Sequence, residues 1–358
     1  MTESAFSTVA DVTPVRLTGI LRRQGVLRND SVTAVDVESS RTTLLSHVAV
    51  LRLSYGSSTP VDAPVRLFLK MTKDGLDPDL ARFIGRGEVG FCRNVAPEMN
   101  DAPVPRCYDA VCDEAIGRYH VLLEDLAETH RILTEWPLPP TLEQCQQIVD
   151  TYARFHAAWW DDPRLGNGIG TLLDVDRYVG RFAESFVRFV DHLGDRLSNE
   201  RRERYERVLA ASAGLIRRRL TGKDITLVHG DAHIWNVLYP RDGTGGGTIR
   251  LFDWDLWRIR TGASDLAYMM AVHWYPERRR RFEDQLLRCY HEALQRYGVH
   301  GYDVSALRQD YRLAVIHQLS FPVFQARDKI AAAIWWGYLE RIMLAFEDLE
   351  CDEFLGGG

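Results

Sequence analysis

The chain has 358 residues, of which 46% are hydrophobic, and its formal net charge is −6. This length is sufficient for two lobes with separate cores, and the negative charge gives no general attraction to nucleic acid or anionic membranes. The six cysteines form no Cys-x-x-Cys pair, and no apolar run approaches the roughly 18 residues that span a bilayer, so no disulfide framework, zinc site or membrane span is indicated. Since the N-terminus has neither a basic start nor an apolar signal core, we expect a cytoplasmic protein, and its oligomeric state is left open.

Residues 37–43 lie between two strand-like runs and are predicted to form a turn. Hydroxyl groups at Ser39, Ser40 and Thr42, together with backbone amides of this segment, are candidates for contact with phosphate oxygens. The segment contains no glycine, which limits how closely its backbone can approach a phosphate.

An alternating segment, residues 65–70, predicts a strand that ends in Lys70. The Lys70 charge lies near apolar neighbours, where an unpaired ammonium is costly, so an acidic partner is expected. Glu88 is the candidate partner, because the apolar residues around it predict a helix with one buried stripe.

The most informative segment is His-Gly-Asp-Ala-His-Ile-Trp-Asn at residues 229–236, followed across one short hairpin by Asp-Trp-Asp at residues 253–255. The preceding residues, 225–228 and 249–252, are β-branched or apolar, which predicts that both segments lie at strand ends. Residues 237–240 predict a further strand between them.

This ordered pair of segments carries the groups that phosphoryl transfer needs. Asp231 is placed to orient an attacking hydroxyl and take its proton, and Asn236 and the Asp253 carboxylate are oxygen ligands suited to Mg²⁺ beside a nucleoside triphosphate. The spacing His-x-Asp-x-x-x-x-Asn, followed by an Asp at a strand end, is typical of kinases.

On these residues the chain resembles the aminoglycoside phosphotransferase and choline kinase-like superfamily, including its ecdysteroid kinase-like branch, which shows His-Gly-Asp-x-His-x-x-Asn and then Asp-Trp. The resemblance implies an α+β, two-lobed protein-kinase-like fold, with a β-rich nucleotide-binding lobe over residues 1–125 and a mainly helical catalytic and acceptor-binding lobe over residues 126–358. It also implies that Lys70 binds nucleotide phosphates, that Glu88 positions Lys70, and that adenine bonds to the backbone near Glu124 and Leu126.

The resemblance assigns supporting roles to four more residues. His229 is expected to brace the catalytic turn, and His233 is expected to be structural rather than a metal ligand. Asp255 is expected to bond the loop rather than a second metal. Asp265 matches a family acid that bonds the catalytic-loop backbone, although a plain helix N-cap explains it nearly as well.

The acceptor is expected to be a small molecule. Only eleven residues separate Asp253 from Asp265, which leaves no room for the activation segment with which protein kinases present a peptide. Aromatic residues at 159–160, 274–275 and 335–338 are candidates for an acceptor cleft, with core packing favoured for Trp159. The acidic tail, residues 347–353, either attracts a cationic acceptor or is an exposed helix end.

Two conspicuous runs have structural interpretations. The glycine run at residues 243–247 lacks the strand-to-helix context and the lysine of a phosphate-binding loop, so it is predicted to be a hairpin tip. The arginine run at residues 278–281 is flanked by acids and is predicted to be a solvated helix face.

We therefore expect an ATP- or GTP-dependent O-phosphotransferase that uses Mg²⁺ and acts on an aminoglycoside-like or other hydroxylated amine or natural product, with choline-like amines and bulky apolar alcohols left open. The alternative is a nucleotide-binding pseudokinase with a regulatory role, favoured by the glycine-free turn. A small-molecule carrier that uses the aromatic residues alone is a more distant possibility.

Overall fold

The structure, a computed structural model, describes residues 4–56, 63–133, 139–220, 222–241 and 247–356. Its helices and strands in chain order are α1 Pro14–Arg23, β1 Val32–Thr42, β2 Ser46–Tyr55, β3 Arg66–Thr72, α2 Pro78–Asn94, β4 Cys107–Asp113, β5 Arg118–Glu124, β6 His130–Ile132, α3 Leu142–Ala158, α4 Val175–Leu193, α5 Asn199–Arg219, β7 Thr226–Val228, β8 Val237–Pro240, β9 Arg250–Leu251, β10 Arg258–Arg260, α6 Ala263–Ala267, α7 Pro276–Arg296, α8 Val304–Gln318, α9 Ser320–Arg327 and α10 Ala332–Asp348. A π-helical turn, Tyr268–Val272, follows α6.

The chain packs into two units. The N-terminal unit comprises Met1–Leu133 together with Asn236–Trp257, and the C-terminal unit comprises Thr134–Trp235 together with Arg258–Gly358. Across the described residues, no helix has both the length and the apolar character needed to cross a membrane.

The N-terminal unit is built on an antiparallel sheet with the strand order β1-β2-β3-β5-β4. Successive side chains of a strand point to opposite faces, so β3 turns Leu67, Leu69 and Met71 towards α1, where they join one buried cluster. Phe68 points to the opposite face and packs against the cluster that contains α2 residues. Lys70 shares the face of Phe68, so the sheet directs its ammonium group towards α2.

A smaller sheet of the same unit, with the order β6-β8-β9, brings two separated chain segments together. Val237 pairs with Leu251, and the Phe252 amide donates a hydrogen bond to the Asn236 carbonyl at 3.1 Å. This register places Asn236 and Asp253 at the same end of the β8–β9 pair.

The C-terminal unit is mainly helical around a short antiparallel pair, β7 and β10. Trp159 and Trp335 are almost fully buried in this unit, so core packing, as favoured for Trp159, is confirmed for both. At the start of α3, Thr141 and Gln144 form a reciprocal capping box that satisfies amides of the first helical turn.

Three sequence-based expectations need correction or fall outside the described residues. The turn predicted at residues 37–43 is wrong, because β1 continues to Thr42 and the reversal occurs at residues 43–45. The predicted solvated arginine face is also wrong for Arg279, which is 1% exposed and pairs with Glu283 at 2.7 Å. Of the glycine run, residues 243–246 lie outside the described residues.

Candidate active site

Lys70 is the centre of a buried ionic cluster in the N-terminal unit. Its Nζ lies 2.6 Å from the Glu88 carboxylate and also contacts the Asp253 carboxylate. Burial alone lowers the pKa of Lys70, but the charges of Glu88 and Asp253 raise it well above its usual value. Burial raises the pKa of Glu88, and the attraction of Lys70 opposes that shift. The lysine therefore stays charged and is held by the two acids.

Helix α2 is locked to the segment that carries Asp253. Phe91 stacks on Trp254 with ring centroids 4.0 Å apart, and the Trp257 indole donates to the Gly87 carbonyl at 2.8 Å. A β-carbon on Gly87 would lie only 2.0 Å from the Asp255 carbonyl oxygen. Glycine at position 87 thus permits the close approach that places Glu88 and Asp253 around one lysine.

The donor chemistry at the end of the β8–β9 pair suits a hard cation. Asn236 offers an amide oxygen, and Asp253 has φ of 69°, an unusual backbone conformation that aspartate tolerates. No group of three or more His, Cys, Asp or Glu side chains arranged to bind a metal occurs among the described residues. Mg²⁺ needs only one or two protein oxygens when phosphate oxygens and waters complete its coordination shell. Asn236 and Asp253 therefore fit a Mg²⁺ site of that open kind, and not a site formed by protein ligands alone.

The segment after β5, where the sequence predicts that adenine bonds to the backbone, has two of its backbone groups engaged within the protein and one donor left over. The Glu124 amide donates to the Arg106 carbonyl at 2.8 Å, and the Leu126 carbonyl accepts from the His130 amide at 2.8 Å. The Leu126 N–H donates no hydrogen bond to any residue that the structure describes. The Glu124 carboxylate accepts from the Arg106 amide, which is a structural use of that side chain.

The hydroxyl groups proposed for phosphate contact lie on a strand and not in a turn. Ser40 Oγ and Thr42 Oγ1 lie 2.8 Å and 3.2 Å from the two ring nitrogens of His47. Ser39 lies next to a β-bulge at Glu38, where the β1–β2 register shifts. Two of the three hydroxyls thus already have a partner in the sheet.

In the C-terminal unit, Asp231 follows β7 and is oriented by neighbouring side chains. Tyr268 donates its hydroxyl to Asp231 Oδ1 at 2.6 Å, and His233 Nε2 lies 3.3 Å from Oδ2. Burial raises the pKa of the Asp231 carboxyl, but His233, Tyr268 and His229 outweigh burial and hold it below its ordinary value. Asp231 is therefore ionised, and a carboxylate in that form accepts hydrogen bonds.

The loop that carries Asp231 is fixed by Asp265. Its carboxylate accepts hydrogen bonds from the His229 and Gly230 amides at 2.7 Å and 2.9 Å. It is not a helix N-cap, since Gly262 occupies that position of α6. The Asp231 amide donates to His229 Nδ1 at 3.3 Å, so the histidine ring closes the turn.

A second layer of side chains in the same unit holds Asp265. His156 Nε2 lies 3.2 Å from the Asp265 carboxylate, and its Nδ1 lies 2.8 Å from the Tyr290 hydroxyl. A β-carbon on Gly262 would lie 1.9 Å from that hydroxyl, so the turn before α6 requires glycine. Burial raises the pKa of Asp265, and its partners, His156 first among them, hold it below its usual value.

Sequence reasoning missed several residues that support the site, namely Gly87, Phe91, Trp254, Trp257, His156, Gly262, Tyr268 and Tyr290. Trp254 is part of the Asp-Trp motif, but its stacking on Phe91 is not encoded there, and the others belong to no motif with a fixed chemical meaning. The tyrosine that bonds Asp231 lies thirty-seven positions further along the chain, in the π-helical turn. Its role depends on a tertiary contact, which a linear pattern does not contain.

The aromatic candidates separate by environment. Trp274 is 4% exposed and belongs to the core, whereas Tyr275 is 67% exposed. Tyr338 is partly buried and faces His273, with ring centroids 5.0 Å apart, and His273 lies 4.8 Å from Tyr268. Aromatic rings therefore border the residues that orient Asp231.

The acidic tail carries little free negative charge. Four of its five carboxylates pair with arginines of the same unit, in the pairs Glu347–Arg204, Asp348–Arg280, Asp352–Arg207 and Glu353–Arg312, each at 2.7 Å. An ion-paired carboxylate attracts a cationic ligand less than a free one does.

Comparison with known proteins identifies the family. A sequence model of the phosphotransferase enzyme family matches residues 61–300, whereas no curated protein matches the chain by sequence. A solved protein from Ralstonia eutropha JMP134, provisionally described as an aminoglycoside phosphotransferase, is 17% identical over 94% of this chain and 97% of that chain, with a TM-score of 0.58. A choline kinase from Cryptosporidium parvum Iowa II is 11% identical over 95% of each chain, with a TM-score of 0.52.

A variant of aminoglycoside 2'-phosphotransferase-IIIa, solved as its GDP complex, is 12% identical over 96% of this chain and 99% of that chain, with a TM-score of 0.53. These similarities confirm the predicted α+β, protein-kinase-like fold, with an antiparallel sheet in the N-terminal unit and helices in the C-terminal unit. The family match covers more than half of the chain. The chain belongs to the phosphotransferase enzyme family.

Proposed function

We propose that the enzyme transfers the γ-phosphoryl group of ATP or GTP to a hydroxyl group of a small natural product. The observation that carries the proposal is the Lys70–Glu88 ion pair beside Asp253. A buried lysine positioned by a glutamate, next to a carboxylate that can bind Mg²⁺, is the arrangement with which kinases hold a nucleoside triphosphate.

The residues of the N-terminal unit are proposed to hold the nucleotide. Lys70 binds the phosphates and Glu88 fixes the position of Lys70. The backbone at Glu124 and Leu126 bonds the base. Asn236 and Asp253 would hold Mg²⁺, which when bound neutralises charge on the phosphate oxygens. Phosphate contacts by Ser39, Ser40 and Thr42 remain part of the proposal, and those of Ser40 and Thr42 require that their hydroxyls also leave or share their contact with His47.

The loop of the C-terminal unit is proposed to orient the acceptor. Asp231 accepts a hydrogen bond from the attacking hydroxyl and takes its proton as the hydroxyl oxygen bonds to the γ-phosphorus. The bond from that phosphorus to the β,γ-bridging oxygen breaks, and ADP or GDP leaves. The low pKa of Asp231 makes it an orienting group more than a strong base, because Brønsted catalysis is most efficient near the working pH. Asp265, His229 and His233 hold the loop. The role proposed for Asp255 remains a hydrogen bond and not a second metal, and within the N-terminal unit its carbonyl lies against Gly87.

The acceptor class suggested by the sequence is an aminoglycoside-like or other hydroxylated amine. Aminoglycoside and choline kinases are among the proteins that share the fold, which keeps both classes within the proposal.

The test is the substitution Asp231→Asn, which keeps shape and removes the carboxylate charge. Turnover, measured as ADP release in a screen of hydroxylated compounds, should fall by about 10²-fold or more, since alignment of the hydroxyl and transfer of its proton together contribute that much. Thermal stabilisation by Mg-ATP should be retained, because Asp231 is not proposed to hold the nucleotide. Asp191→Asn, at an exposed position of α4, is the matched control and should keep full turnover.

Two outcomes would count against the proposal. Turnover by Asp231→Asn equal to that of the unsubstituted protein would remove the role of the carboxylate. Stabilisation by Mg-ATP with no transfer to any acceptor would favour the regulatory pseudokinase instead.

A further inference from the structure

Arg260, on β10, is a buried cation without an anionic partner. It is 9% exposed, and its guanidinium donates to the carbonyl of its own neighbour Ile259 at 2.7 Å. No carboxylate among the described residues lies within ion-pair distance of it. Burial, and then the charges of Arg258 and Arg219, lower the pKa of Arg260 to about 9. A buried charge without a partner destabilises a fold unless an anion binds beside it.

The surroundings of Arg260 contain more positive than negative charge. Arg219 is also largely buried, and its Nε lies 3.9 Å from the Asp310 carboxylate, which additionally accepts a hydrogen bond from Tyr302. His317 stays neutral, because burial and the nearby charges of Arg260, Arg219 and Arg258 lower its pKa well below the usual value. Asp310 thus does not balance the positive charge of Arg260, Arg258 and Arg219.

The position of Arg260 relates it to the catalytic loop. Arg258 pairs with Val228, the residue before His229, and its Nη2 donates to the Gly230 carbonyl at 2.9 Å. Residues two apart in a strand project from the same face and are about 7 Å apart. Arg260 therefore extends from the face of β10 that Arg258 uses to reach the loop of Asp231.

Aromatic side chains on α9 contact residues that lie near Asp231 and residues that lie near Arg260. Phe321 lies 5.3 Å from Tyr268, which bonds Asp231, and Phe324 lies 5.7 Å from Tyr178. Burial raises the pKa of Tyr178, and the nearby charge of Arg260 opposes that shift. Phe321 and Phe324 are neighbours on one helix face and are only partly buried, so they offer an apolar surface for the body of a ligand.

We propose that the acceptor of this kinase carries an anionic group, a carboxylate or a phosphate monoester, which Arg260 binds while the acceptor hydroxyl lies at Asp231. The inference rests on the proposed function and names its substrate class. A polycationic acceptor would instead meet the charges of Arg258, Arg260 and Arg219, while the acids of the C-terminal tail are already paired with arginines.

The test compares hydroxylated probes that carry an anionic group with related probes that are neutral or cationic. The probes are 3-phenyllactate with its neutral amide and the amine phenylalaninol, lactate with lactamide, and glycerol 3-phosphate with glycerol. Thermal shift reports binding, and ADP release in the presence of Mg-ATP reports transfer. Comparison of the two carboxylate sets with the phosphate pair shows which anionic group the protein binds. We expect an acid of at least one pair to stabilise the protein and to have a KM at least about tenfold below that of its neutral partner.

Arg260→Met keeps the approximate volume and removes the charge. It should raise the KM of the preferred acid by at least about tenfold and leave that of the neutral partner unchanged, while Arg260→Lys should restore part of the preference. Without ligand, Arg260→Met should melt at a higher temperature than the unsubstituted protein, because the unpaired charge is gone. Arg181→Met is the matched control, since Arg181 is exposed and lies 5.8 Å from the Phe324 ring.

The proposal is overturned if no acid stabilises the unsubstituted protein more than Arg260→Met, if neutral or amine probes are preferred, or if Arg181→Met behaves like Arg260→Met. Stabilisation by inorganic sulfate but by none of the hydroxylated anions would show an adventitious ion only. Loss of the Mg-ATP thermal shift in the unsubstituted protein would reject the proposed function itself. A normal Mg-ATP shift without an acid preference would reject the inference alone.

Discussion

Lys70 in the N-terminal unit and Asp231 in the C-terminal unit are held in place by different physical means. Lys70 is fixed by two carboxylates, Glu88 and Asp253, so its position depends on the mutual attraction of buried charges. Asp231 is fixed chiefly by a tyrosine hydroxyl, a histidine ring and the backbone of a loop that Asp265 anchors.

The difference predicts two kinds of failure. Removing one member of a buried ionic cluster leaves the other charges without a partner, and this destabilises the fold. Removing one donor from an ionised carboxylate that keeps other partners changes its pKa and alignment, while the fold loses little. Variants of the first region should therefore lose stability, and variants of the second should lose rate.

Lys70→Met should give the largest effect on stability. Glu88, whose side chain is 3% exposed, would be left as a buried acid without its cation, so the free energy of unfolding should fall by about 3–5 kcal/mol. Urea unfolding measures this loss. Lys73→Met is the control, because Lys73 is closer to solvent and only donates to the Leu44 carbonyl.

The double substitution Lys70→Met with Glu88→Met sharpens the same comparison. If the loss comes from the stranded charge, the double variant should recover stability relative to Lys70→Met alone. A double variant at least as unstable as the single one would mean that shape, and not charge, holds this region together.

Gly87→Ala should give an intermediate effect. A β-carbon at this position would lie 2.0 Å from the Asp255 carbonyl oxygen, so α2 and the Asp253 segment must separate, at about 1–3 kcal/mol of stability. The affinity for Mg-ATP, measured by calorimetry, should fall as well, since Glu88 is the next residue. Gly90→Ala is a close control on the same helix, because its β-carbon would come no closer than 3.8 Å to the Trp257 ring.

In that control, alanine improves helix propensity by up to about 1 kcal/mol, so Gly90→Ala should be neutral or stabilising. Equal losses in the two variants would show that the close approach at Gly87 is not what aligns Glu88 with Asp253.

The sequence contained enough information to predict the elements that carry the motifs. The strand of Lys70, the helix of Glu88 and the strands before His229 and Asp253 are all present, because each has a clear hydrophobic period. The residues at which those elements contact one another could not be predicted in the same way. Gly87 matters only because another segment packs within van der Waals distance of it.

The turn predicted at residues 37–43 failed for a related reason. Its polar residues resemble a loop, but β1 lies at the edge of the sheet, where one strand face is exposed to solvent and polar side chains are tolerated. Polarity at an edge strand and polarity in a turn cannot be distinguished from the sequence of one segment. The pairing of β1 with β2 in the structure shows that the segment is a strand up to Thr42.

Tyr268→Phe tests the second region and should leave stability nearly unchanged. The hydroxyl donates to the ionised Asp231 carboxylate, which keeps its contact with His233, so the loss should appear mainly as poorer alignment and a turnover about tenfold lower. The Tyr268 bond lowers the pKa of Asp231, so removing it raises that pKa. Asp231 then takes up a proton at a higher pH, and the acid limb of the kcat/KM profile should shift upward. Tyr338 borders the same group of aromatic rings, so Tyr338→Phe should leave the acid limb in place. An unshifted acid limb in Tyr268→Phe would show that the Tyr268 hydroxyl does not control the pKa of Asp231.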